Sequence, residues 1–289
     1  MTKTLLPFQK IAVVGLGLIG GSLVKRLRHL KPDCKLIGVD FRSVISAARD
    51  YLDESYAPED LAHALRGADL VFLATPINVI LDLLPDVAHS VKPGAIVTDV
   101  GSTKNFIAAQ AQKYFTGERY FIGGHPMAGR EKGGWENSHA HLFENAAYVL
   151  TPLPNFPAHL LESLKNFLQT AGARVITLEP ASHDRIVADI SHLPQLLAVT
   201  LMNFIARENA PSELCLQLAG GGFRDMTRLA ASPFGIWQDI LASNHANIRQ
   251  SLREFIDVLQ GLAHDFDNKN LEANLRQANQ LRELMVLPQ

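Results

Sequence analysis

Cysteine is scarce in this 289-residue chain: Cys34 and Cys215 are its two, far apart, so neither a disulfide framework nor a zinc cluster can be read from them. The eleven histidines include no His-Glu-x-x-His pair or similar ligand spacing, and no metal is expected. A cationic surplus is also lacking, with 27 Lys plus Arg against 29 Asp plus Glu, so neither nucleic acid nor an anionic membrane is expected as a partner. Long hydrophobic runs are missing too. The most apolar stretch, around Leu193 to Ile205, is interrupted by Gln195, Thr200 and Asn203 and falls short of the ~20 residues of a membrane helix. The lead before the first apolar run carries no signal-peptide pattern, which points to the cytoplasm.

What is present is core material, 47% hydrophobic residues, arranged in two patterns. Up to about Thr177, short β-branched runs alternate with segments of helical spacing such as Leu18 to Leu30 and Ile77 to Val91. The runs are Ile11 to Val14, Leu36 to Val39, Leu70 to Ala74, Ile96 to Asp99, Tyr120 to Ile122, Tyr148 to Leu150 and Val175 to Thr177. Such alternation predicts an α/β fold, a Rossmann-type doubly wound and mostly parallel sheet, over residues 1–178. Residues 179–289 show three-to-four-residue periodicity and almost no strand signal, which predicts an all-α domain. Helices this apolar need a surface to bury against, and a homodimer formed through them is expected.

Gly15-Leu16-Gly17-Leu18-Ile19-Gly20 follows the first predicted strand and opens a helix. In that context the glycines fit a dinucleotide turn: Gly15 for the tight bend, Gly17 for close approach of backbone to pyrophosphate, Gly20 for helix-to-strand packing. The helix N-terminus offers free N–H groups to phosphate. Asp40, at the end of the second strand, stands where a carboxylate accepts from the adenosine ribose and repels a 2′-phosphate, which favours NAD over NADP. Arg42 could take such a phosphate if Asp40 turned away. Leu18, Ile19, Thr75 and Ser102 complete the expected cofactor contacts.

Two further segments lie at strand ends, where ligands bind in open α/β sheets: Asp99-Val100-Gly101-Ser102-Thr103-Lys104 and Gly123-Gly124-His125-Pro126-Met127-Ala128-Gly129. Both are expected to be loops that point their polar residues into the cofactor crevice. With the glycine turn, with Ser191-His192-Leu193-Pro194, and with Gly220-Gly221-Gly222-Phe223-Arg224-Asp225-Met226-Thr227-Arg228, they closely resemble the prephenate dehydrogenase family in order and spacing over nearly the whole chain. The resemblance implies an NAD-dependent oxidative decarboxylation of prephenate to 4-hydroxyphenylpyruvate in tyrosine biosynthesis, with arogenate or cyclohexadienyl dehydrogenase as the alternative. It places the catalytic histidine on His125, an assisting serine on Ser102 and a carboxylate-binding arginine on Arg228. Ser191, His192, Gln195, Gly221, Arg130 and Glu131 fall on the substrate side.

The chemistry agrees with these residue types. Oxidising the ring hydroxyl carbon needs a base for the proton and a cofactor for the hydride, and imidazole, with an ordinary pKa of about 6.5, serves the first need. A guanidinium fork matches a carboxylate of the dianionic substrate, with Lys132 a further cation nearby. Blander readings stand beside these: Ser102 as a helix N-cap, Arg228 as an ion-pair partner, His192 as a core histidine, His183 as a structural partner of a helix end, and Trp237 as core or interface. Gln195 stands where many family members carry a second histidine. Glu131, flanked by Arg130 and Lys132, is expected to be neutralised, which favours prephenate over the ammonium-bearing arogenate. The chain's end after a helix at Gln289 leads to the expectation that no regulatory ACT domain follows. A non-catalytic NAD-binding redox sensor is the reading from another class, and it gives no reason for a base. A β-hydroxyacid dehydrogenase calls for a lysine on the helical half, where the first after Glu179 is Lys269.

Overall fold

The computed structural model describes residues 8–30, 33–129, 132–207, 212–264, 266 and 268–285. Its first half alternates β1 (Lys10–Val14), α1 (Leu18–Leu30), β2 (Lys35–Val39), α2 (Arg42–Ala48), β3 (Glu54–Tyr56), α3 (Leu61–Leu65), β4 (Leu70–Leu73), α4 (Ile77–Ser90), β5 (Ile96–Asp99) and α5 (Asn105–Ala111). It continues with β6 (Tyr120–Pro126), β7 (Ala147–Pro152), α6 (Ala158–Thr170) and β8 (Arg174–Thr177). Helices follow: α7 (Pro180–Val187), a π-helical turn (Ala188–His192), α8 (Leu193–Arg207), α9 (Ser212–Gln217), α10 (Gly221–Thr227), α11 (Phe234–Ser243), α12 (His245–His264) and α13 (Asn268–Leu284).

The strands form one sheet in the order β3-β2-β1-β4-β5-β6-β7-β8, parallel except where β6 meets β7. The expected doubly wound, mostly parallel sheet followed by helices is what the chain adopts. Alternation along each strand explains why these runs read as continuously apolar. Ile11, Val13, Leu70 and Phe72 bury on one face with Leu23 and Phe167, while Ala12, Val14, Val71 and Leu73 bury on the other with Leu84 and Ile107. A sheet covered on both faces has no polar side to reveal its period. The edge strand β3 went unread because it is three residues long and half polar.

Two expectations are corrected. The Gly123-Gly124-His125-Pro126 segment is not a loop: β6 runs to Pro126, in register with β7 through His125 opposite Val149. Its glycines answer to space rather than to turn geometry, since a Cβ on Gly124 would lie 2.5 Å from the Asp99 carbonyl oxygen. Asp99, Thr103 and Lys104 do not face a crevice either. All three are fully buried, because Lys104 forms an ion pair with Asp99 and donates to the Gly124 carbonyl at 2.7 Å.

Helices α7 and α11 hold the second half to the sheet. Ile240 belongs to the second core cluster and Trp237 packs against it. Thr103 and Ser243 share a 2.8 Å hydroxyl contact, and the Asn78 amide donates to Asp239 at 3.2 Å. No helix among the described residues is long and apolar enough to cross a membrane.

Candidate active site

The glycine turn lies at the carboxyl end of β1, beside β4, where the chain leaves the strand order 3-2-1 and crosses to the other half of the sheet. Gly15 has φ +91°, and a Cβ there would lie 2.5 Å from the Ala74 carbonyl oxygen. A Cβ on Gly20 would meet the Gly15 carbonyl oxygen at 1.9 Å. Gly17 differs, for a Cβ there meets nothing within 4 Å. The space over Gly17 is thus open while its two partner glycines are pressed against backbone, the arrangement a pyrophosphate needs. Leu18 and Ile19, both half-buried, form the first turn of α1.

Asp40 caps the turn from below: one carboxylate oxygen accepts from the Leu16 amide at 2.6 Å and the other from the Phe41 amide at 2.7 Å. Each oxygen retains a lone pair for a ribose hydroxyl. Arg42 is exposed at the start of α2. At the end of β4, the Thr75 hydroxyl oxygen is buried without a hydrogen-bond partner among the described residues. An orphaned buried hydroxyl beside an open glycine cradle fits a dinucleotide.

Further along the same edge of the sheet lies a buried polar cluster. His125 is 9% exposed on β6, and its Nδ1 lies 2.8 Å from His183 Nε2. Burial is the main cause, with His183, Lys104 and His192 adding to it, that holds the His125 imidazole well below the ordinary histidine pKa. Its Nε2 has no partner among the described residues. Beneath it, Asp99 accepts from the Gly101 amide at 2.8 Å and the Gly124 amide at 3.1 Å while paired with Lys104. This knot fixes the ends of β5 and β6 relative to each other. Burial also lowers the Lys104 ammonium, against the opposing pull of Asp99. Ser102 sits half-buried in the β5–α5 loop, and no hydrogen bond joins it to His125.

The helical half contributes a roof. Ser191 and His192 lie on the π-helical turn, a distortion common at functional sites. His192 is buried, its Nδ1 accepts from the Asn244 side-chain amide nitrogen at 3.2 Å and its ring meets Trp237 edge-on at 5.8 Å, and desolvation lowers its pKa to about 4. Gln195 is buried on α8, and its amide oxygen accepts from Ser232 at 3.4 Å. Gly221 opens α10 and Arg228 follows it, both exposed. Arg130 and Glu131 lie outside the described residues, whereas Lys132 is exposed.

Sequence reasoning missed Asp184 of this cluster and gave His183 only a structural role at a helix end. His183 and Asp184 on α7 are 1% and 2% exposed and reach His125 from the helical half. Their one local signal is adjacency in a short helix, and nothing in that segment shows which strand it will cover. Among the described residues no group of three or more His, Cys, Asp or Glu is arranged to hold a metal ion.

Comparison with known proteins adds an independent line. Residues 23–177 match the family model described as prephenate dehydrogenase, nucleotide-binding domain, and residues 179–285 the model described as prephenate dehydrogenase, dimerization domain. Prephenate dehydrogenase of Bacillus subtilis (strain 168) is 33% identical over 286 residues, spanning 96% of this chain and 76% of that protein. The structure of Synechocystis arogenate dehydrogenase superposes with a TM-score of 0.82 at 37% identity, covering 96% of this chain and 100% of the other. Prephenate dehydrogenase from A. aeolicus, solved in complex with hydroxyphenyl propionate and NAD+, superposes at 0.84 with 30% identity and 98% coverage of both chains.

Proposed function

The chain belongs to the prephenate dehydrogenase family, and from that premise we propose that it oxidises and decarboxylates prephenate to 4-hydroxyphenylpyruvate with NAD, a step of tyrosine biosynthesis. The observation that carries the reading is a buried imidazole, His125, with Nε2 unpartnered, on the same sheet edge as the glycine cradle. His125 takes the ring-hydroxyl proton as the base, and burial keeps it unprotonated at neutral pH. When bound, the dinucleotide supplies the hydride acceptor. Gly15, Gly17, Gly20, Asp40 and Thr75 hold it. The ring carbonyl then receives the electron pair of the bond to the departing carboxylate, and the ring becomes aromatic. Ser102 lies between cofactor and substrate in this reading, with Ser191, Gln195, Gly221 and Arg228 on the substrate side. Arg130 and Glu131 are assigned to the same side on the family's motif order.

The working molecule is a homodimer in this reading, and its setting the cytoplasm, where NAD is available. Large apolar side chains stand exposed across the helical half, among them Leu218 at 76%, Phe234 at 71%, Val258 at 67% and Leu284 at 83%. An apolar surface of that extent calls for a partner, and the matching family model names a dimerization domain. Arogenate is the second substrate to weigh, because a 37% identical structure is an arogenate dehydrogenase. Steady-state kcat/KM on prephenate and on arogenate, with NAD, tests the proposal. A higher value on prephenate is expected. A preference for arogenate would move the assignment, and no turnover of either would remove it.

A further inference from the structure

His183 and Asp184, consecutive on α7, have no part in the reaction as described, yet they are among the least exposed polar residues of the chain. Asp184 Oδ1 lies 2.8 Å from His183 Nδ1, and His183 Nε2 lies 2.8 Å from His125 Nδ1. The carboxylate is itself fixed, accepting from the Lys104 amide at 2.7 Å and the Asn105 amide at 2.9 Å. Asn244 donates to the Asp184 carbonyl at 2.7 Å and pins the helix behind it.

An ionised carboxylate accepts hydrogen bonds and cannot give one. His183 therefore donates from Nδ1 and turns its Nε2 lone pair toward His125. Two lone pairs cannot share a 2.8 Å contact, so His125 donates from Nδ1 and keeps Nε2 bare. Nε2 is the atom required as the base.

We propose that His183 and Asp184 are a positioning pair, which holds His125 in the tautomer with a bare Nε2 and takes up the positive charge when Nε2 receives the substrate proton. The inference rests on His125 being the base. The proton balance closes within the chain: the hydroxyl proton goes to His125 Nε2, the Nδ1 proton is shared with or passed to His183 Nε2, and His183 keeps its Nδ1 proton on Asp184. Charge developing on His125 then lies one imidazole away from a fixed carboxylate. The other groups facing His125 offer no such help. Lys104 and His192 disfavour its charged form, and a charged His183 does so too, so the pair carries the charge only because Asp184 balances it; Tyr148 on β7 stays a neutral phenol because burial raises it, and Asp99 is taken by Lys104.

Long-range 15N–1H spectra of the imidazoles in the full-length protein read the tautomer without any turnover. With His125→Asn used to assign its signals, His125 is expected to show a protonated Nδ1 and an unprotonated Nε2 at neutral pH. Asp184→Ala, which removes the acceptor that fixes the His183 proton on Nδ1, should let the His125 proton move to Nε2 and lower kcat about 10²–10⁴-fold, with NAD affinity and KM retained. His183→Gln, which keeps an acceptor facing His125, should retain more kcat than His183→Leu. A His125 protonated on Nε2 in the parent protein, or a folded His183→Leu protein with unchanged kcat, overturns the proposal. Full activity of His125→Asn would instead remove the base assignment and leave the tautomer measurement to stand alone.

Discussion

At the scale of single residues, burial sets the working range of His125. Desolvation opposes the charged imidazolium, so in the free protein the base stays ready below the ordinary histidine value of about 6.5. The kcat/KM profile should therefore remain level from neutral pH down to that value and fall only below it. An acid limb centred at or above 6.5 contradicts this. His125→Asn should lower kcat about 10²–10⁴-fold while NAD titrates as before. His192 makes a separate statement about stability. Its pKa of about 4 in the folded protein lies below the unfolded value near 6.5, so between those limits the unfolded chain binds a proton that the folded one refuses. Stability is then undiminished above pH 6.5 and declines as pH falls toward 4. Urea unfolding across that window should show the slope, and His192→Asn should reduce it. His125 was legible in the sequence from the Gly-Gly-His-Pro motif at a strand end and the family that motif resembles. The depth of its burial was not, since that is produced by β7 and α7, whose approach no local pattern encodes.

Among the elements, the glycine turn offers a clean separation of folding from binding. A Cβ on Gly17 touches no protein atom within 4 Å, so Gly17→Ala should leave Tm unchanged and weaken NAD about tenfold or more. Gly20→Ala drives a methyl into the Gly15 carbonyl, 1.9 Å away, and should lower Tm as well. Equal effects of the two on Tm and NAD would contradict this division. The β5–β6 knot has a different signature. Removing the Lys104 ammonium strands the Asp99 carboxylate in a fully buried site, so Lys104→Met should cost about 3–5 kcal/mol in urea unfolding. The turn, the acidic strand end and most strands were readable because each depends on short-range chemistry. The Asp99 to Lys104 segment was misread as crevice-facing for the opposite reason: five residues of separation do not reveal that the pair closes on itself under Gly124. The π-helical turn carrying Ser191 and His192 likewise leaves no mark in the three-to-four-residue periodicity of the helical half.

For the whole molecule, the division into a sheet half and a helical half follows from the switch of hydrophobic period near Glu179, and the helical half is left with its apolar side chains uncovered. In the proposed homodimer, Leu218→Glu and Phe234→Glu, which flank the glycine-rich α10 in sequence, should shift sedimentation toward monomer. An unchanged sedimentation coefficient would send the interface elsewhere. The measurement that bears most directly on the central claim is rapid mixing of the NAD-saturated protein with prephenate, following reduced cofactor and released carbon dioxide together. Equal amounts of both are expected, with 4-hydroxyphenylpyruvate as the product and the rate collapsing in His125→Asn. Absence of cofactor reduction in the parent protein, or an undiminished rate in the variant, would contradict the account.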